Sequence, residues 1–144
     1  MAKMIFVNLP VSDLARSTAF YQAIGAVKNE QFSDGHTVSC IAFSDTIQAM
    51  LMTHDKYRFF TSKEIADPKT TSLALLCLFV DSRQAVDDMI GKAKAAGGNL
   101  DPAPVDDFDF MYGRSFEDPD GHMWGVSWMD VEAAAKAMAA PAGA

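Results

Sequence analysis

The sequence is poor in the residues that build metal centres and disulfide frameworks. Its 144 residues include only two cysteines and three histidines. The cysteines, Cys40 and Cys77, stand alone in apolar runs, without a CxxC pair or a neighbouring histidine cluster. This spacing argues against a zinc knuckle and against a disulfide scaffold. We expect both cysteines to be buried, reduced thiols.

Basic residues and long apolar runs are also scarce. Lys and Arg number 12 against 19 Asp and Glu, which gives a net charge of −7. Nucleic-acid binding is disfavoured, because contacts to phosphates depend on clustered Lys and Arg. The most apolar stretch, residues 73–80, is too short to cross a bilayer, and we expect no signal peptide before the first apolar stretch. We therefore expect a cytoplasmic domain with neither a nucleic-acid nor a membrane partner.

Hydrophobic periodicity predicts a mixed α+β domain. Residues 14–24 and 85–96 follow helical spacing, each after a capping residue pair and before glycine. Short apolar runs rich in β-branched and aromatic residues predict strands between turn signals. The predicted strands are residues 4–11, 26–32, 37–43, 46–53, 73–80, 100–105, 112–116 and 122–128.

The order of these elements repeats once along the chain. Strand, helix, glycine and three strands describe a first βαβββ module at about residues 4–54 and a second at about 72–130. One module covers its sheet poorly alone, so we predict that both form a single domain over residues 1–130. The connector, residues 55–71, should be short helix or irregular chain, serving as a lid or a subunit contact through Tyr57, Phe59 and Phe60. Residues 131–144 form an Ala-rich C-terminal tail.

Two sequence motifs resemble one known family. FVNLPVSDL at residues 6–14, followed by RS and FY, resembles the opening strand and helix of the glyoxalase / bleomycin-resistance / extradiol dioxygenase (vicinal oxygen chelate) superfamily, and most of all a bacterial glyoxalase-like subgroup. FEDPDGH at residues 116–122 resembles the closing turn of the same proteins. The resemblance implies two βαβββ modules that form a curled mixed sheet around a cavity, usually completed in a homodimer.

In metal-dependent members, four inward side chains, typically His or Gln, Glu, His and Glu, hold a divalent ion that chelates substrate oxygens. Counted from the two motifs, the corresponding residues here are Phe6, Met50, Leu75 and Gly125. Phe, Leu and Gly offer no donor, and a thioether suits Cu(I) better than Zn, Fe or Mn. A shift of one residue reaches no better ligand. We therefore expect the superfamily's fold with no metal and no cofactor.

Side chains two residues apart on a strand share a face, which extends the inferred cavity lining beyond those four positions. The lining is mostly apolar and sulfur-rich, which suits a small hydrophobic or aromatic ligand, although the same residues could simply pack as core. Tyr112 and Arg114 share a strand face and could hold a carboxylate or phosphate, unless Arg114 pairs with a nearby acid. The predicted lining is Phe6, Asn8, Gln48, Met50, Leu75, Cys77, Tyr112, Arg114 and Gly125, and the acids are Asp107, Asp109 and Glu117.

Catalytic candidates are few. His54 could act as a general base, with Tyr112 and Arg114 as the other candidates. His122 should support its turn, and His36 should be solvated. Two hypotheses remain. One is a metal-independent small-molecule binder of the bleomycin-resistance kind; the other is a lyase (such as lactoylglutathione lyase), an isomerase or a dioxygenase-type enzyme with a non-standard or metal-free site. Binding is favoured, because few polar residues converge on one point.

Overall fold

The computed structural model describes residues 2–139, which form two mixed β-sheets and four helices. The first half contains β1 (Ile5–Val11), α1 (Leu14–Ala23), β2 (Val27–Asn29), β3 (Val38–Ala42), β4 (Ile47–Thr53) and α2 (His54–Tyr57). The second half contains β5 (Leu76–Phe79), α3 (Arg83–Ala95), β6 (Asn99–Leu100), β7 (Asp106–Phe108), β8 (Met111–Glu117), β9 (Met123–Met129) and α4 (Val131–Ala139).

Both sheets have the same topology. The first has strand order β1-β4-β3-β2 and the second β5-β9-β8-β6, with β7 paired to β8. In each sheet the first and last strands of the βαβββ unit pair in parallel, and the other pairs are antiparallel. The α+β class and the repeated module are therefore confirmed. The two sheets remain separate and open.

Local sequence explains the two long helices. Asp13 caps α1 by accepting a hydrogen bond from the Arg16 backbone N–H at 3.0 Å, and Ser82 caps α3 in the same way. Both helices lie within two residues of their predicted bounds. Gly25 and Gly97 follow the helix ends with φ of +109° and +94°, a conformation that favours glycine.

The two modules share one hydrophobic core. The ring of Phe20 on α1 lies 5.7 Å from that of Phe116 on β8, and the ring of Tyr21 lies 6.1 Å from that of Trp124 on β9. Val86 and Ile90 of α3 belong to the same buried cluster. The sheets are thus joined through the faces that their helices cover. We call the other face of each sheet, turned away from this core, its outer face.

Two predicted strands are shorter in the structure. The strand expected at residues 100–105 consists of β6 alone, and β7 begins later, because Pro102 and Pro104 cannot donate ladder hydrogen bonds. The strand expected at residues 26–32 ends at Asn29, whose side chain accepts from the Gln31 N–H at 3.1 Å and caps a 3-10 turn at Glu30–Phe32.

Other boundaries also differ. His54 begins α2, the short helical piece expected in the connector. β5 begins at Leu76, three residues later than predicted. The predicted tail starts with α4, which Asp130 caps by accepting from the Ala133 N–H at 3.1 Å; residues 140–144 lie outside the described chain. Within residues 2–139, no helix is long and apolar enough to cross a membrane.

Candidate ligand-binding sheet faces

Phe6 and Met50 lie on the outer face of the first sheet. Phe6 pairs with Gln48 and Asn8 pairs with Met50 across β1 and β4, so all four side chains share one face. Gln48 is buried; its Oε1 accepts from Asn29 Nδ2 at 3.2 Å and lies 3.1 Å from Cys40 Sγ. The polar groups of this face are therefore mainly neutral amides.

Cys40 is buried, as expected, and burial raises the pKa of its thiol. A protonated thiol is a poor metal ligand, because the thiolate is the form that binds. The ring of Phe6 makes an edge contact with Phe32 at 5.9 Å. Apolar and uncharged groups thus dominate this face.

The outer face of the second sheet is nearly free of large side chains at its centre. Gly125 pairs with Cys77 on one side and with Ser115 on the other, and Gly113 pairs with Ser127. A Cβ atom on Gly113 would lie 2.8 Å from Ser127 Oγ, and one on Gly125 would lie 3.3 Å from Cys77 Sγ. We call Cys77, Gly113, Gly125 and Ser127 the platform.

Cys77 departs from expectation because it is exposed. It lies on β5, an edge strand whose outer face nothing else in the described chain covers. Leu75, which precedes that strand, is 70% exposed. Asp106 borders the platform, with its Oδ2 3.8 Å from the Cβ position of Gly113. A ligand on this face would therefore meet small groups, sulfur and one carboxylate.

These residues do not fit a hard divalent cation. The superfamily's ligand positions carry Phe6, Met50, Leu75 and Gly125, of which only Met50 has a side-chain donor, a soft thioether. Among the described residues, no group of three or more His, Cys, Asp or Glu side chains is arranged to hold a metal ion. No step of a reaction can be derived through a metal at these positions.

Tyr112 and Arg114 share a face of β8, but it is the helix-facing one. Arg114 pairs with Val126 and Tyr112 with Trp128, and the Tyr112 hydroxyl donates to Asp87 Oδ1 on α3 at 2.7 Å. Because strand residues alternate between faces, neither side chain lies on the face of Gly125. The prediction that Tyr112 and Arg114 line the same cavity face as Gly125 was therefore wrong.

Arg114 is held by two carboxylates, and neither is among the three acids that the sequence suggested as its partners. Its Nη2 lies 2.7 Å from Asp101 Oδ2 and its Nη1 3.2 Å from Asp87 Oδ1. The hydrogen bond from Arg114 lowers the pKa of Asp101, and the hydrogen bond to Asp87 raises the pKa of Tyr112. With its charge neutralised in this way, Arg114 is poorly placed to bind an anion.

The histidines are dispersed. His122 Nε2 donates to the Pro10 carbonyl at 2.8 Å and so ties the closing turn to β1, as its position suggested. His36 is exposed beside Asp34. His54 is exposed at the start of α2, and its ring bonds to none of the described residues. The structure therefore does not bring His54 together with Tyr112 and Arg114.

A buried polar clasp between the modules was not anticipated. Asp118 Oδ1 accepts the backbone N–H groups of Asp120, Gly121 and His122 at 2.9–3.0 Å. Its Oδ2 accepts from the Tyr21 hydroxyl of α1 at 2.5 Å. The sequence could have indicated this contact, because a tyrosine on the apolar face of a helix needs a hydrogen-bond partner for its hydroxyl.

Asp120 completes this clasp from the same turn. Its Oδ1 accepts from the backbone N–H and the hydroxyl of Ser12, both at 2.8 Å, and its Oδ2 accepts from Ser17 at 3.0 Å. Burial alone would raise the pKa of Asp120, but these bonds and the charge of Arg16 outweigh it and lower the pKa. The closing turn of the second module is thereby fastened to the first helix.

Fold and faces together define a two-module α+β protein built on paired βαβββ units. The chain belongs to the Glyoxalase/Bleomycin resistance protein/Dioxygenase superfamily, whose family model matches residues 3–126. No protein of curated function shows significant sequence similarity to it.

Solved structures share this fold at low sequence identity. Hypothetical protein SA1046 from S. aureus is 23% identical, with a TM-score of 0.73 over 89% of this chain and 95% of that one. A glyoxalase/bleomycin resistance protein/dioxygenase family enzyme from Burkholderia phytofirmans PsJN is 22% identical, with a TM-score of 0.71 over 89% and 99%. TnmS3, an antibiotic binding protein from Streptomyces sp. CB03234, is 19% identical, with a TM-score of 0.64 over 90% and 98%.

Proposed function

We propose that this chain binds a small hydrophobic or aromatic molecule on its outer sheet faces, in the cytoplasm and without a metal or cofactor. The observation that carries the proposal is an intact superfamily fold whose four ligand positions are Phe6, Met50, Leu75 and Gly125. When the fold is intact but its ligand positions lack donors for a hard cation, the site is suited to holding a molecule rather than polarising one.

The chemistry of the platform supports an aromatic ligand with a positive charge. Gly125 leaves the centre of the platform without a side chain, so that a flat molecule can approach the strand there, and exposed Cys77 offers a sulfur contact beside it. Asp106 stands beside the platform, and the chain carries a net charge of −7. Both favour a cation. An antibiotic binding protein shares this fold, which is consistent with binding alone as a function.

A second copy of the chain would complete the site. Each outer face lies outside the shared core, and the side chains of Leu75 and Phe79 are 70% and 61% exposed beside the platform. Exposed apolar surface of this kind marks an interaction site. In a homodimer, the first outer face of one copy would cover the second outer face of the other, enclosing the ligand between them.

The alternative is a lyase, isomerase or dioxygenase-type enzyme with a non-standard or metal-free site. It requires polar groups that converge on a reacting atom. Tyr112 and Arg114 are instead engaged with Asp87 and Asp101, and His54 begins a different element. Turnover of a bound probe is therefore the outcome that would favour an enzyme over a binder.

Titration with a flat aromatic cation, 9-aminoacridine, tests the proposal. Gly125→Leu places a side chain on the platform, where exposed Cys77 can turn aside, and should weaken binding at least tenfold. Gly91→Leu is the matched control, because a Cβ at that helix position meets no atom of residues 2–139 within 4 Å. Binding that Gly125→Leu leaves unchanged, or equal binding of the anion anthracene-9-carboxylate, contradicts the proposal.

A further inference from the structure

A groove lies on the helix side of the first module, on the opposite side of the sheet from its outer face. Its volume is about 420 Å³, within the range of small-molecule sites. One wall is α1, and the other is formed by β2, β3 and the turn that joins them. Its polar lining residues are Thr18, Gln22, Lys28, His36 and Ser39.

Ser39 lies at the floor of this groove with an unpaired hydroxyl. The residue is 3% exposed, and within residues 2–139 its Oγ is the one buried side-chain oxygen or nitrogen without a hydrogen-bond partner. Leaving a buried polar atom unpaired is costly. Ser39 is opposite the core residue Leu51 and faces α1. A hydrogen-bonding molecule in the groove would supply the missing partner.

The groove also offers a positive charge. Lys28 and Ile41 are paired across β2 and β3, which puts Lys28 on the same face as Ser39 at a diagonal position, about 7–8 Å away. A lysine side chain spans that distance. Its partner, Glu30, lies 3.5 Å from Nζ but is 79% exposed, so the pair is weak. None of the described residues that line the groove is acidic.

The rest of the lining is apolar or exposed at the rim. Leu14, Ala15 and Ala19 form a hydrocarbon wall along α1. Gln22 and His36 stand exposed at the rim, where their side chains can turn aside to admit a ligand to the floor. A buried hydroxyl donor and a lysine next to an apolar wall match a carboxylate that carries a short hydrocarbon chain.

We propose that this groove binds a small amphipathic carboxylate. The carboxylate accepts hydrogen bonds from the Ser39 hydroxyl and from Lys28 Nζ, while the hydrocarbon lies against Ala15 and Ala19. The site is separate from the outer sheet faces and does not depend on the function proposed for them.

Heteronuclear NMR titration of the full chain with sodium hexanoate tests this site, with hexanamide as the uncharged isostere. Hexanoate should shift the backbone amides of Lys28, Gly35 and Ser39. Hexanamide should bind at least tenfold more weakly, because a hydrogen bond to a charged group is worth roughly tenfold or more in affinity.

Two variants separate the contacts. Ser39→Ala removes an unpaired buried hydroxyl, so the protein should stay folded with an unchanged or higher Tm, yet hexanoate affinity should fall about tenfold. Lys28→Gln should lower it similarly, whereas Lys92→Gln, at an exposed position of α3, should not. Neither Ser39→Ala nor Lys28→Gln should alter binding of 9-aminoacridine to the outer faces, which separates this test from the previous one.

Three results would overturn the inference. The first is the absence of saturable shifts at the groove amides up to millimolar hexanoate. The second is equal affinity for hexanoate and hexanamide. The third is unchanged hexanoate affinity in a folded Ser39→Ala variant.

Discussion

Tyr21 joins the two modules through its buried hydroxyl. Its hydroxyl donates to Asp118 and accepts from Trp124 Nε1 at 2.9 Å, all in the shared core. We expect Tyr21→Phe to lower the free energy of unfolding by about 1–3 kcal/mol, because it leaves a buried carboxylate oxygen and an indole N–H without partners. Urea unfolding at pH 7 measures this loss.

Tyr112→Phe is the matched control for Tyr21→Phe. It removes the same hydroxyl, but the hydrogen bond lost is to the exposed Asp87. We expect a loss below about 1 kcal/mol, since water replaces a partner at an exposed site. Equal losses in the two variants would contradict the importance of the buried clasp.

The ion pair of Asp101 with Arg114 should make the stability of the protein depend on pH. Arg114 holds the pKa of this carboxyl below its usual range, so the folded state binds a proton less readily than the unfolded one. The stabilisation is present above the unfolded pKa of about 3.9 and is lost as the pH falls through the folded value. Asp101→Asn suits the test because φ is +48° there, a region that asparagine tolerates.

We expect Asp101→Asn to cost about 1 kcal/mol at pH 7, as befits a partly exposed ion pair. The difference from the unsubstituted protein should shrink as the pH falls from about 4 through the lowered pKa of folded Asp101, where the aspartate itself becomes neutral. Thermal or urea unfolding across pH 3–7 gives this curve. A difference that stays constant over that range would show that charge is not its origin.

Residue types were easier to predict from the sequence than residue faces. The donor-poor positions Phe6, Met50, Leu75 and Gly125 follow from the motifs alone. The face of Arg114 required the register of β8 on β9, which the turn at Asp118–His122 fixes through the pairing of Glu117 with Met123. Counting back from that pair places Arg114 opposite Val126. The unpaired hydroxyl of Ser39 left no sequence signal, because it depends on packing against α1.

Elements with strong local signals were predicted well. α1 and α3 carry both periodic apolar residues and caps, and such helices are set largely by local sequence. β7 was missed because Asp106 and Asp107 dominate its three residues, and only backbone pairing with β8 makes it a strand. Short edge strands of this kind are determined by tertiary context.

Gly98, between α3 and β6, is closely surrounded by α1, α3 and β8. A Cβ there would lie 2.9 Å from the Glu117 carbonyl oxygen, 3.0 Å from that of Ala93 and 3.0 Å from the Phe20 ring. Backbone oxygens in hydrogen-bonded strands and helices can move only at a substantial cost in free energy. We therefore expect Gly98→Ala to destabilise the protein by about 1–3 kcal/mol, as measured by urea unfolding.

Gly91→Ala, within α3, should instead stabilise the protein. In the described part of the chain, no atom lies within 4 Å of a Cβ at this position of α3, and replacing glycine in a helix by alanine gains about 0.5–1 kcal/mol. If Gly98→Ala were as well tolerated as Gly91→Ala, the inference that the modules pack closely next to β6 would be contradicted.

At the scale of the whole molecule, the outer faces predict self-association. Light scattering coupled to gel filtration should give twice the 15.6 kDa mass of one chain. Leu75→Glu combined with Phe79→Glu should yield monomers, because two charges would be buried without partners. Met138→Glu, at an exposed residue of α4, is the control. A monomeric unsubstituted protein, or a dimer indifferent to the double change, would contradict the enclosed site.

The central claim is that this superfamily fold works without its metal. The most direct measurement is elemental analysis of protein purified without chelator, by plasma mass spectrometry. Because Phe6, Met50, Leu75 and Gly125 supply no donor for a hard cation, the account predicts no stoichiometric Zn, Ni, Mn or Fe. One such ion per chain, lost on treatment with EDTA and restored on adding the metal back, would contradict it.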